Sequence, residues 1–165
     1  MSLEVSRKGT MYKVPGKQPQ VGEQAPFFQL PDLQEKSHSL PDFKGKPTIL
    51  SVIPDIDTRV CALQTKRFNQ EASKISAIHF VTISNNTKEQ QAAWCGQEGV
   101  DMLMLHDTDH SFGDAYGLWI PEFGHLARAI FVLDSKGVVQ YQEISQEISQ
   151  EPNYEQALAA ANALI

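Results

Sequence analysis

The run Thr48-Ile49-Leu50-Ser51-Val52-Ile53, followed by Pro54-Asp55-Ile56-Asp57-Thr58-Arg59-Val60-Cys61, decides how the chain folds. Its first six residues are almost continuously apolar and partly β-branched, which is the pattern of a strand buried on both faces of a parallel sheet. From Cys61 to Ser76 the pattern turns helical: Leu63, Phe68, Ala72 and Ile75 can share an inner face, with Lys66, Arg67 and Glu71 outside. A thiol therefore stands where a buried strand hands over to a helix.

Working outward, Ile78 to Ser84 reads as the next buried strand. Thr87-Lys88-Glu89-Gln90 matches a capping box and opens a helix through Trp94 and Cys95 to Gly96 or Gly99. Met102 to Leu105 is a short strand and Phe112 to Leu118 a short helical turn. Ala129 to Leu133 and Val138 to Gln142 are strands joined by the turn Asp134-Ser135-Lys136-Gly137. Tyr154 to Leu164 is a terminal amphipathic helix with Asn153 as its cap. Upstream, Ser39 to Pro47 is loop and turn material, and Gly9, Pro15, Gly16 and Pro19 break residues 1–20 into a small β-hairpin extension. The order hairpin, β-α-β-α-β, hairpin, α predicts one α/β domain over 1–165: a mixed central sheet flanked by helices, as in thioredoxin-like domains. The doublet Glu143-Ile144-Ser145-Gln146-Glu147-Ile148-Ser149-Gln150 is too short to signal a repeat architecture.

The 165 residues are 41% hydrophobic and 21% charged, within the range of a globular domain with a real core. A net charge of −6 argues against a nucleic-acid or anionic-membrane surface. No apolar run approaches the ~20 residues of a membrane span, and the first residues lack an apolar signal core. The expected location is cytoplasmic, where a structural disulfide would be kept reduced.

Cys61 has the surroundings of a reactive thiol. Free cysteine, with a pKa of about 8.5, is little ionised at neutral pH, yet the thiolate is the nucleophile. A helix start offers free backbone N–H groups and a positive dipole end. The Thr58 hydroxyl can donate to the sulfur or to an incoming oxygen. Arg59, Arg67 or the distant Arg128 could supply a permanent cation. Pro54 would stiffen the loop and limit water at the sulfur. Against this stands an inert buried thiol. Arg128, between Ala127 and Ala129, suits a tight site, although an outer-face salt bridge would also use an arginine. Cys95, 34 positions after Cys61 and on another helix, is either a redox partner or core filler beside Trp94. Bonding the two needs Cα atoms within ~7 Å, so a catalytic disulfide would require local unwinding.

Pro54-x-x-x-Thr58-x-x-Cys61 resembles the active-site signature of the peroxiredoxins. The wider pattern is similar to the thiol peroxidase branch, the atypical two-cysteine type. That pattern comprises Gly22-x-x-Ala25-Pro26-x-Phe28, Asp57-Thr58-x-Val60-Cys61-x-x-Gln64-Thr65-x-x-Phe68-Asn69 and Trp94-Cys95-Gly96. It continues through Phe112-Gly113-x-x-Tyr116-Gly117, Leu126-Ala127-Arg128-Ala129-x-Phe131-Val132-Leu133-Asp134 and Glu151-Pro152-x-Tyr154-x-x-Ala157-Leu158. The resemblance implies a thioredoxin-fold enzyme that reduces hydroperoxides. Cys61 would be the peroxidatic cysteine, Cys95 the resolving cysteine of the same subunit, Thr58 and Arg128 polar partners and Pro54 a shield. It also implies thioredoxin as reductant, a homodimer, and no metal or organic cofactor. Departures from the pattern include Asp55 for serine, Arg59 for a small residue or proline, His106 for serine and His125 for leucine. Asn85-Asn86-Thr87-Lys88-Glu89-Gln90 replaces an Asp-Leu-Pro-Phe-Ala-like stretch.

Three other readings compete. His106-Asp107-x-Asp109-His110 could be proposed as a metal site, but the segment is turn-like and lacks strong further ligands. A binding module on the same scaffold is possible, since fold does not fix function. A general disulfide oxidoreductase would carry C-x-x-C at a helix start, which is absent.

Overall fold

The computed structural model describes residues 3–56, 58–72, 74–75, 77–98 and 103–165. Eleven strands lie among them: β1 (Leu3–Arg7), β2 (Thr10–Val14), β3 (Gln29–Pro31), β4 (Ser37–Ser39), β5 (Thr48–Val52), β6 (His79–Ser84), β7 (Met104–His106), β8 (Trp119–Ile120), β9 (His125–Leu126), β10 (Ala129–Leu133) and β11 (Val139–Ile144). The helices are α1 (Arg59–Ala72), α2 (Lys88–Glu98), α3 (Ser111–Ala115) and α4 (Tyr154–Asn162).

The central sheet has the order β11-β10-β5-β6-β7. β5, β6 and β7 run parallel, while β10 is antiparallel to both β5 and β11. This is the mixed thioredoxin-like sheet expected from the pattern, with the apolar run at its centre. Every residue of β5 and β10 is buried. Their side chains alternate between two cores, as a period of two requires. Leu50, Val52, Phe131 and Leu133 face a core closed by the β1–β2 hairpin, Phe28, Phe43 and α3. Ile49, Ile130 and Val132 face the other, with Phe68 of α1 and Tyr154, Ala157 and Ala161 of α4. A third, smaller cluster at the end of β5 joins Ile53, Ile56, Cys61, Trp94 and Met104.

Several boundaries differ from the sequence pattern. α1 begins two residues before Cys61, and the expected helix end at Ser76 lies outside the described residues. So do the expected strand start at Met102, the alternative helix end at Gly99, and Asp57 of the active-site stretch. Leu63 is not on the inner face of α1: it is 39% exposed, and the buried stripe is Cys61, Gln64, Thr65 and Phe68. That stripe is the i, i+3, i+4, i+7 set; two polar residues belong to it, so an apolar-only reading misplaces the face. The loop read from Ser39 to Pro47 contains a 3-10 turn over Leu40–Phe43. The ribbons β3–β4 and β8–β9 are too short for periodicity to reveal. Gly137 takes φ +84° in the β10–β11 turn, and a Cβ there would come within 2.7 Å of Gln24. Among the described residues no helix is long and apolar enough to cross a membrane.

The two copies of the octad's short doublet do different work. The first continues β11. The junction between them lies against β1: Ser6 donates its backbone N–H to O of Gln146, the last residue of the first copy, at 2.6 Å, and Ile148 of the second donates back to Ser6 O at 2.8 Å. Glu147 accepts from the Ser6 hydroxyl at 2.7 Å, from Ser149 N–H at 2.9 Å and from the Ser149 hydroxyl. These hydrogen bonds, the Ser149 hydroxyl first, hold its carboxyl down at about 2 against an ordinary value of 4.5. A depressed carboxyl stabilises the fold above its unfolded value and stops doing so as pH falls through its folded value. Glu147→Gln should therefore be less stable than wild type above pH 4.5, with the gap closing towards pH 2. Glu147 is only half-buried and solvent screens its carboxylate, so the gap is below about 1 kcal/mol. Urea denaturation across that pH range measures it, and a gap independent of pH would contradict this assignment.

Candidate active site

Val52 ends β5, and the chain passes through Pro54, Asp55 and Ile56 into α1, where Cys61 is the third residue. The backbone of this loop turns back on the thiol: Asp55 N–H donates to Cys61 Sγ at 3.4 Å. Arg128 arrives from the other side, immediately before β10. It is 1% exposed and its guanidinium is held in a fork. Nε donates to Ile148 O at 2.9 Å, Nη1 to Gln64 Oε1 at 2.6 Å, and Nη2 to Cys61 Sγ at 3.3 Å. Gln64 is fixed in turn by donating to Ser51 Oγ of β5 at 2.8 Å. None of the three Arg128 bonds goes to a carboxylate, so this buried cation faces neutral acceptors and the sulfur. Of the other two candidates, Arg67 pairs with Glu71 at 3.6 Å and lies over the Tyr154 ring, and Arg59 is exposed and lines the cavity that opens onto Cys61.

A cavity of about 380 Å³ opens onto the sulfur, with Pro54, Thr58, Phe123, Arg128 and Ile148 among its walls. Cys61 itself is 1% exposed and lies in the wall of this cavity. The turn of the N-terminal hairpin adds Arg7 and Lys8 to the lining. The hairpin is thus part of the site, which its sequence did not indicate.

Thr58 differs from expectation. Its hydroxyl donates to Asp55 O at 2.8 Å and not to the sulfur, because the residue caps the entry to α1, where Ala62 N–H donates to Thr58 O at 3.0 Å. The hydroxyl lone pairs stay available to a ligand in the cavity.

A family model described as the AhpC/TSA family matches residues 21–142. The chain belongs to this peroxiredoxin family. It is 44% identical over 164 residues to a thiol peroxidase of Bacillus subtilis (strain 168), covering 98% of each chain. It is 47% identical over 151 residues to a thiol peroxidase of Streptococcus pneumoniae (strain ATCC BAA-255 / R6), covering 90% of this chain and 93% of that one. Among solved structures, a peroxiredoxin-like protein from Aquifex aeolicus superposes with a TM-score of 0.93 at 26% identity, covering 99% of both chains.

In this peroxiredoxin Pro54, Thr58, Cys61 and Arg128 meet at one cavity, while Cys95 does not line it. Cys95 is half-buried near the end of α2, with its Sγ 3.1 Å from Met104 Sδ. No disulfide joins the two cysteines. They nevertheless pack on the same small cluster of Ile53, Ile56, Trp94 and Met104. Sequence reasoning missed Gln64 and the Ile148 carbonyl as the supports of Arg128. The signal for Gln64 was its place on the buried stripe of α1.

The residues once weighed as a metal site have separate tasks. Asp107 accepts from the Phe112 and Gly113 N–H groups, both at 2.9 Å, and burial pushes its carboxyl upward. His110 stacks on Trp119 with ring centroids 4.2 Å apart, and Asp109 accepts from Ser111 N–H. Among the described residues no group of three or more His, Cys, Asp or Glu side chains could hold a metal ion.

Proposed function

We propose that this chain is a cytoplasmic, homodimeric, single-domain thiol peroxidase that reduces hydrogen peroxide and organic hydroperoxides and is recycled by thioredoxin. The observation that carries the reading is the double donation to Cys61 Sγ, from Arg128 at 3.3 Å and Asp55 N–H at 3.4 Å, at the floor of a cavity. The relatives named thiol peroxidases support thiol-dependent peroxidase activity.

The chemistry balances without a cofactor. The Cys61 thiolate attacks one peroxide oxygen, the O–O bond breaks, and the departing alkoxide takes a proton to leave as alcohol or water. Cys61 becomes a sulfenic acid, two electrons more oxidised. The Cys95 thiol then attacks that sulfur, forming a disulfide and releasing water. A dithiol reductant restores both thiols by exchange. Arg128 N–H donates to the oxygen that gains charge, while the Thr58 hydroxyl accepts the hydrogen of the hydroperoxide and orients it. Pro54 and Phe123 keep bulk water from the sulfur. A second reading, a one-cysteine peroxidase, draws on the Cys95–Met104 contact, which suits a packed side chain.

The test is NADPH consumption in the presence of thioredoxin, thioredoxin reductase and either hydrogen peroxide or cumene hydroperoxide. Turnover should require every component. Peroxide consumption with a small-thiol reductant but not with thioredoxin would overturn the recycling step, and none with either would overturn the proposal.

A further inference from the structure

Asn86, in the turn after β6, is 4% exposed, and its side-chain amide is spent entirely on two segments remote from each other in sequence. Oδ1 accepts Ile56 N–H at 2.8 Å. Nδ2 donates to Asp55 Oδ1 at 3.0 Å and to Gln90 Oε1 at 3.3 Å. A backbone N–H needs an acceptor and a carboxylate needs a donor, so only this orientation of the amide serves both. Gln90 belongs to the first turn of α2, where its side-chain Oε1 accepts Thr87 N–H at 2.9 Å and its backbone N–H donates to the Thr87 hydroxyl oxygen at 3.2 Å, completing the capping box. On one side of Asn86 therefore lies the loop whose Asp55 N–H touches Cys61 Sγ. On the other lies the helix that carries Cys95.

We infer that Asn86 is a positioning residue with two opposed effects: it aims the Asp55 N–H at the Cys61 sulfur, and it ties that loop to α2 so that the tie must open before Cys95 reaches Cys61. The inference rests on the peroxidase reading for its chemistry. Asp55 and Asn86 lie in two of the stretches that depart from the family pattern, and they meet here at 3.0 Å. Keeping the tie closed favours attack on peroxide; releasing it favours the disulfide. In the first step the peroxide O–O bond breaks and Cys61 sulfur is oxidised. In the second the S–S bond forms and water leaves.

The experiment is stopped-flow tryptophan fluorescence, since Trp94 adjoins Cys95 and packs in the same cluster as Cys61. Mixing reduced protein with hydrogen peroxide should give a phase whose rate rises with peroxide (attack) and a phase independent of it (disulfide formation). In Asn86→Ala, attack should slow about ten-fold, the loss of one charge-linked hydrogen bond, while disulfide formation should quicken about ten-fold. A general loss of stability would not drive the two rates in opposite directions. Asn86→Asp sets two carboxylates together and should act like the alanine variant or worse. The double variant D55N/N86D recreates the 55–86 pair with donor and acceptor exchanged, but it sets a carboxylate against Gln90 Oε1, so it should return the attack rate to within about three-fold of wild type and leave disulfide formation fast.

Unchanged rates in Asn86→Ala, or rates that fall together, would overturn the inference. If Asn86→Ala does not fold, failure of the double variant to rescue the attack rate of Asn86→Asp would overturn it equally. Diamide separates the two proposals, because it oxidises a dithiol without peroxide. If the wild type ignores peroxide but forms the disulfide with diamide, the peroxidase reading fails, and faster diamide oxidation of Asn86→Ala still supports the tie.

Discussion

Cys61→Ser protein is expected to fold normally and to reduce no hydroperoxide. The serine oxygen is smaller than sulfur but can accept from both Arg128 Nη2 and Asp55 N–H, so the loop and the fork keep their partners. What is lost is the nucleophile. A serine hydroxyl carries no adjacent base here, and it cannot pass through a sulfenic state. Activity should fall by more than about 10⁴-fold, the scale seen when a covalent nucleophile is removed. The peroxide-dependent NADPH assay measures this, with circular dichroism to confirm the fold. Residual activity within ten-fold of wild type would move the chemistry to another residue.

The second large effect belongs to Arg128. Arg128→Lys retains a positive charge but replaces a planar fork of five donors with one flexible ammonium. It cannot meet Ile148 O, Gln64 Oε1 and Cys61 Sγ together, as the guanidinium does. Peroxide kcat/KM should drop by about 10²-fold, comparable to removing one donor from an oxyanion site. The Ile148 carbonyl or the Gln64 amide oxygen is then left unpaired in a buried place, at a cost of about 1–3 kcal/mol. Competition kinetics for peroxide and a thermal melt separate the two effects. A lysine variant with wild-type kcat/KM would show that charge alone, not the fork, acts on the peroxide.

The parts of this architecture legible in the sequence are those that repeat. Thr48 to Ile53 is legible as a strand buried on both faces and Ala129 to Leu133 as a strand of a hairpin; in the fold alternate side chains of both strands enter two different cores and leave no polar face. The capping box at Thr87 was readable because its two partners are three residues apart. Cys61, Thr58, Pro54 and Arg128 were readable as residue types whose spacing matched a family signature, and they do gather at one cavity. The direction of the Thr58 hydroxyl was not, since it depends on where the Asp55 carbonyl turns. Leu63 was misplaced because Gln64 and Thr65, both fully buried, occupy the face that apolar counting assigned to it. The Asn86 tie spans about thirty residues and joins two irregular loops. A contact of that kind leaves no periodic trace in a sequence and emerges only from the folded chain.

The proposed cycle depends on Cys61 and Cys95 lying at one apolar cluster. The most direct test adds one equivalent of cumene hydroperoxide to the reduced protein and maps disulfides by mass spectrometry, in wild type, Cys61→Ser and Cys95→Ser. The predicted result is an intramolecular Cys61–Cys95 bond in wild type and in neither variant, with Cys61 trapped as a sulfenic acid in Cys95→Ser. A wild-type protein that oxidises Cys61 without forming that bond, or leaves both thiols untouched, would contradict it.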